Sequence, residues 1–375
     1  MLLDRPLKGS RSTKTGNKLY LIQAFRGLAA LAVFLVHITF VLQERLNQTL
    51  SFNPFAAGWM GVDFFFVLSG FIIFYVHYAD LGRSWRLGIF LKKRFIRIYP
   101  IYWAIALPFI ALQLLLPSLA QQQRTDFVYY LLSLGLLPQP DFPALGGAWT
   151  LIHEVFFYAV FALLIWVKPI MQIPIVITLT SGVLLRTAGI FDSLIEHSYL
   201  FEFITRPVNL EFILGCIAAY LTLQYRLQFR QWIFAAGLLL LVLSAIVFGG
   251  QKGFSDPSAL ARPLLFGVPC FLLVVGAASI DRYKPIQVPQ IFNYLGNASY
   301  SLYLTHGPIQ AFLAVTLAKL QAKQPLSLLI NFLLIFAIAM LVGCFTYSYV
   351  EKPMLQLLQK KLLPSFARSV SETSS

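Results

Sequence analysis

Mostly apolar segments of bilayer-crossing length recur from residue 20 to residue 350, joined by short polar connections. A hydrocarbon core about 30 Å thick takes about 20 helical residues at about 1.5 Å each. Ten segments fit: Tyr20–Leu42, Trp59–Ala79, Tyr99–Leu116, Ala148–Val167, Ile173–Gly189, Pro207–Leu223, Trp232–Phe248, Leu264–Ile280, Phe292–Leu317 and Leu326–Val350. Inside lipid the backbone has no water to bond, so segments of this kind satisfy their N–H and C=O groups as helices. The expected fold class is an all-α integral membrane protein, a polytopic bundle of about ten transmembrane helices. Hydrophobic residues make up 58% of the 375 positions and charged residues 12%, more apolar surface than a soluble domain needs.

The organisation follows from these segments. Residues 1–19 are a basic N-terminal segment, 20–353 the transmembrane domain, and 354–375 a Ser-rich tail expected to be disordered. The first apolar segment is too long for a signal peptide and lacks a clear small-residue cleavage site, so it is expected to stay as the first span. Phe127–Leu137 is apolar but too short to span, which points to an interfacial or re-entrant segment.

Lys and Arg number 29 against 15 Asp and Glu. Most of the cations fall on the N-terminal side of the spans. With an even number of spans, the positive-inside rule puts both termini in the cytoplasm, and the absence of an organellar signal favours a bacterial plasma (inner) membrane. The basic excess is accounted for by these loops and by anionic lipid. No basic run is interleaved with exposed aromatics, so no nucleic acid partner is expected. Cys216, Cys270 and Cys344 lie far apart inside apolar runs and read as small hydrophobes. No His, Cys or Asp pair has ligand spacing, so no metal is expected.

Ionisable groups inside spans are functional candidates. They are Arg26, His37, Asp63, His153, Glu154, Glu211 and His306. At about 1.5 Å per residue, His37, Asp63, Glu154, Glu211 and His306 fall in one layer in the outer third of the core. Arg26 and His37 bracket "FRGLAALAVFLVH"; eleven helical steps put them on one face, about 16 Å apart along the axis. An imidazole there can serve as general base for a hydroxyl or as a relay nucleophile. A carboxylate, Asp63 or Glu154, would orient it. "FLKKRFIRIYPIYW" places Lys92, Lys93, Arg94 and Arg97 at the start of the third span, where guanidinium forks suit phosphate oxygens. In "RPVNLEF", Asn209 and Glu211 stand at the outer mouth and are candidates for binding sugar hydroxyls. His306 and Tyr303 are candidates for lining the same cavity. Ser69 and Gly70 read as a close-approach point between helices, and Glu351 as structural.

Several motifs, in order, resemble the acyltransferase 3 family of membrane acyltransferases. "FRGLAALAVFLVH" resembles its R-x10-H signature and "GVDFFFVLSGFII" its second-helix motif. "RFIRIYPIYW" resembles its R-x-x-R element. "WTLIHEVFFY", "LGNASYSLYLTH" and "YVEKP" resemble its later elements. The resemblance covers about residues 19–355. It implies transfer of an acyl group, most often acetyl from cytoplasmic acetyl-CoA, to a hydroxyl of a glycan or glycolipid acceptor at the outer side. It further implies His37 as the catalytic histidine, Arg26, Arg94 and Arg97 as donor-binding residues, and Glu154 as a support for catalysis. The rival reading is a proton-coupled transporter, which uses the same buried His and acids but does not require the Arg94/Arg97 cluster.

Overall fold

A computed structural model of the chain describes residues 19–116, 126–248, 261–321 and 326–363. Of the basic segment 1–19, residues 1–18 lie outside the described residues, as do residues 364–375 of the tail 354–375, whose first part belongs to the helix Lys352–Leu362. Among the described residues fourteen α-helices run in order: α1 Tyr20–Leu46, α2 Met60–His77, α3 Leu87–Leu115, α4 Phe127–Gly135, α5 Trp149–Trp166, α6 Pro169–Thr187 and α7 Asp192–His197. They continue with α8 Tyr199–Ile204, α9 Asn209–Gln224, α10 Arg230–Phe248, α11 Val268–Tyr283, α12 Gln290–Gln321, α13 Leu328–Thr346 and α14 Lys352–Leu362. No strand occurs among the described residues.

Among those residues, nine helical stretches are long and apolar enough to cross a membrane: Tyr20–Leu46, Ala56–Asp80, Ser84–Leu115, Gly146–Trp166, Pro169–Thr187, Tyr199–Gln224, Arg230–Phe248, Pro263–Tyr283 and Leu328–Leu362. The tenth expected span lies within α12, which is 32 residues long. Asn293, Asn297, Ser299, Ser301, Thr305, His306 and Gln310 make α12 more polar than the nine. The protein is an all-α polytopic membrane protein.

The chain divides into two compact units. The first combines residues up to Val36, Phe52–Ala79 and Ile173–Ser299. Its centre is α2 against α9. A Cβ on Gly70 would strike the Phe212 backbone, and one on Gly215 would strike the Val67 carbonyl. The two glycines thus let the helix backbones touch, which replaces the water-driven burial that lipid does not provide. Phe64, Val67, Leu68 and Phe71 of α2 pack with Ala218 and Ala219 of α9 and with Leu273 and Val274 of α11.

The second unit combines His37–Ser51, Asp80–Gln172 and the chain from Tyr300. Its α3 begins at Leu87, twelve residues before the span expected at Tyr99. The short apolar segment forms α4, nine residues long. The last carbonyls of α4 have no partners within the helix, and α3 supplies them. Tyr102 donates its hydroxyl to the Ser133 carbonyl at 2.6 Å, Trp103 its indole N–H to Leu134 at 2.9 Å, and Tyr99 its hydroxyl to Gly135 at 3.0 Å. The aromatic half of "RFIRIYPIYW" is thereby used as a side-chain cap.

Candidate active site

In the second unit α1 and α12 bring two histidines together. The rings of His37 and His306 stand 4.9 Å apart between centroids, edge to face. His37 is half-buried, whereas His306 is only 3% exposed. His306 Nδ1 lies 2.6 Å from the Tyr303 carbonyl. A carbonyl only accepts, so the ring proton sits on Nδ1. This fixes the orientation of the buried imidazole. Tyr303 is held in turn: its hydroxyl is 2.9 Å from the Gly147 carbonyl and 2.8 Å from Thr150 Oγ1, and Thr150 also donates to Gly147 at 3.1 Å. Of the two rings, His37 is the one with surface left for a substrate.

The same unit holds the basic cluster. Arg94 and Arg97 stand about two and three turns inside α3, not at its start. The basic run reads as an interface in sequence because the partners that hold it are distant. Arg97 Nη1 donates to Glu351 Oε1 at 2.8 Å, and Ser301 donates its hydroxyl to Glu351 Oε2 at 2.5 Å. The Arg97 guanidinium also lies 5.0 Å from the centre of the Tyr300 ring. Glu351 is buried, while a third of the Arg97 side chain remains exposed. Arg94 lies 5.6 Å from the Tyr158 ring and 6.0 Å from the Phe90 ring. Its Nε is buried without a hydrogen-bond partner among the described residues. Tyr158 donates its hydroxyl to Glu154 at 2.5 Å. Glu154 is thus placed one residue away from Arg94, through the ring on which Arg94 stacks.

The first unit holds the remaining candidates. Arg26 donates to Gln23 Oε1 at 2.8 Å and to Ser299 Oγ at 3.2 Å, and Gln23 donates to Asn297 at 2.7 Å. Helix α1 runs unbroken from Tyr20 to Leu46 and carries both Arg26 and His37. Asp63 is ion-paired with Arg262, Nε to Oδ1 at 2.6 Å and Nη2 to Oδ2 at 3.2 Å, and both side chains are sealed from solvent. Glu211 is fully buried beside this pair, in space that Gly267 leaves open. Asn209 donates both its amide bonds to the Phe203 and Ile204 carbonyls at the end of α8. The expected single layer of five groups therefore resolves into separate associations: His37 with His306, Asp63 and Glu211 with Arg262, and Glu154 with Tyr158. In sequence Arg262 stands between the expected spans Trp232–Phe248 and Leu264–Ile280, where a loop cation would. Its only signal is its place two residues ahead of an apolar segment. No group of three His, Cys, Asp or Glu side chains among the described residues forms a metal site.

The sequence comparisons supply the reaction class. Residues 19–349 match the family model described as an acyltransferase domain. The chain belongs to the acyltransferase 3 family. This acyltransferase is 30% identical over 316 residues to the exopolysaccharide production protein ExoZ of Rhizobium meliloti, covering 81% of this chain and 92% of that one. It is 24% identical over 387 residues to the O-acetyltransferase OatA of Staphylococcus aureus, covering 96% of this chain and 61% of that one. It also resembles protein 2 in the picA locus of Rhizobium radiobacter, at 34% identity over 38% of this chain and 80% of that one. No solved structure matches it.

Proposed function

We propose that this acyltransferase moves an acyl group, most often acetyl, from cytoplasmic acyl-CoA to a hydroxyl of an exopolysaccharide or related glycan at the outer side of the membrane. Both termini are cytoplasmic in this reading, in a bacterial inner membrane. Support for the acceptor class comes from the similarity to the exopolysaccharide production protein ExoZ, and for acetyl as the group moved from the similarity to the O-acetyltransferase OatA. The observation that carries the chemistry is a half-exposed imidazole set against a second one whose proton position is fixed.

In this mechanism His37 takes the proton of the acceptor hydroxyl as its oxygen attacks the thioester carbonyl. The C–O bond forms, the C–S bond breaks, and the proton passes from the imidazolium to the leaving thiolate. His306 and Tyr303 keep the His37 ring in place. Arg97, with part of its guanidinium open, takes donor phosphate oxygens together with Arg94, and Arg26 of the first unit is a further candidate for handling the donor. Glu154 steadies the Tyr158 ring beneath Arg94. Asp63, Glu211 and Asn209 act through the packing of the first unit.

The test is transfer of label from radiolabelled acetyl-CoA to host glycans, with membranes carrying wild type or His37→Ala. General-base loss costs about 10²–10⁴ in rate, so label is expected with wild type alone. Equal label from both removes His37 from the chemistry. Label from neither removes the proposed donor or acceptor.

A further inference from the structure

Two arginines of the first unit share one aromatic ring. The guanidinium carbons of Arg226 and Arg230 lie 5.3 Å and 5.7 Å from the centre of the Tyr283 ring. The face of a tyrosine attracts one cation well but offsets little of the repulsion between two. No Asp or Glu among the described residues forms an ion pair with either. Arg230 Nε is buried without a hydrogen-bond partner among those residues. Arg282 and Lys284 flank Tyr283 in the chain and add further positive charge. The one acid here, Asp281, is turned inward, where Oδ2 accepts from the backbone N–H groups of Leu21 and Ile22 at 2.8 and 3.4 Å. Helix α10 begins at Arg230, so the positive end of its dipole and its first unpaired N–H groups add to the same spot. Beside the arginines, Phe229 is 51% and Trp232 74% exposed.

We propose that this corner, formed by Arg226, Arg230, Tyr283 and the start of α10, binds a phosphate group, that of an anionic phospholipid. A phosphate held by the guanidinium N–H groups at this ring offsets positive charge that no carboxylate among the described residues pairs. The exposed rings of Phe229 and Trp232 select the lipid source. Such rings sit at headgroup level, where one side meets water and the other acyl chains. A soluble phosphate compound would use the arginines and leave both rings bare. Basic pockets between spans bind lipid headgroups by the same chemistry.

The experiment is native mass spectrometry of the purified full chain in detergent, titrated separately with phosphatidylglycerol, phosphatidylcholine and adenosine 3′,5′-bisphosphate. Phosphatidylglycerol is expected to bind wild type in preference to phosphatidylcholine. Each arginine near a headgroup contributes about fivefold, so R226Q/R230Q should bind it about thirtyfold more weakly. R226Q alone should show about fivefold; Arg226 is exposed, so this variant keeps the fold if the double variant does not. Trp232→Gln should weaken the lipid and not the bisphosphate. If R226Q/R230Q loses the bisphosphate but keeps phosphatidylglycerol, the corner takes a soluble phosphate and the lipid assignment falls. Unchanged binding of both anions in R226Q overturns the site.

Discussion

The two units each set an arginine of a spanning region against a carboxylate far away in the chain, and they do so in opposite ways. In the first, Arg262 meets Asp63 across 199 positions, through two hydrogen bonds, with both side chains sealed. In the second, Arg97 meets Glu351 across 254 positions through one fork arm, and a third of its side chain stays open. A sealed, bidentate pair has all its charge used inside the protein. Its role is to fix which helices meet, since the cost of stripping both ions of water offsets most of their attraction. A pair with one open end is different. Glu351 and Ser301 hold the guanidinium still, while its remaining N–H groups can meet another anion. The same chemistry thus closes the guanidinium off in one unit and leaves part of it open in the other.

The largest effect that would break this comparison is at Asp63. Asp63→Asn takes away the carboxylate that accepts both Arg262 hydrogen bonds and can turn an amide N–H toward the guanidinium, which should destabilise the fold by about 3–5 kcal/mol. Thermal unfolding of the purified protein in detergent checks this. A stability close to that of wild type would mean that Arg262 finds another acceptor, and the sealed pair would not be what fixes the first unit.

Arg97→Lys sharpens the other side. Lys keeps the positive charge for Glu351 but replaces the planar fork with a point charge. Because Arg97 is partly exposed, stability should change by less than about 1 kcal/mol. Donor recognition should suffer more: KM for acetyl-CoA is expected to rise about tenfold or more, with kcat little changed. A variant that unfolds like Asp63→Asn but binds donor normally would make Arg97 a second packing residue.

These two arginines also mark where the sequence was readable and where it was not. Spans are legible because a bilayer imposes a length and a composition on each of them separately. Nine of the ten expected segments coincide with helical stretches of crossing length. The tenth is a helix as well, but more polar. Helix starts are less legible. The third span was placed at Tyr99 because four cations within six residues look like an interface. In fact α3 begins at Leu87, and its arginines are tolerated inside because Glu351, Tyr300 and Tyr158 meet them. A run of sequence carries no sign of partners that lie hundreds of positions away. For the same reason Arg262 read as a loop cation. The meeting of His37 with His306 was half legible, since depth along two helices suggested a shared layer. Depth says nothing of which faces of the helices turn toward each other. Hence Asp63 and Glu211, expected in the same layer, are gathered by Arg262 and not by a histidine.

The smallest expected effect is at Glu211, and it separates the two carboxylates that surround Arg262. Both are fully buried, but only Asp63 has the arginine's hydrogen bonds; no N–H or O–H donor among the described residues reaches a Glu211 oxygen. One guanidinium therefore faces two acids and is spent on one of them. Glu211→Gln keeps the shape and sets an amide donor where the Glu211 carboxyl faces Asp63. Replacing a poorly satisfied buried carboxyl by an amide of the same shape is close to neutral or stabilising. The unfolding midpoint should thus shift by no more than the equivalent of about 1 kcal/mol, and upward if at all, against the large fall for Asp63→Asn. Acyl transfer to glycan should be retained at the wild-type level. A collapse of transfer at unchanged stability would move Glu211 from the packing of the first unit to contact with the acceptor, and would make the sealed cluster a functional one.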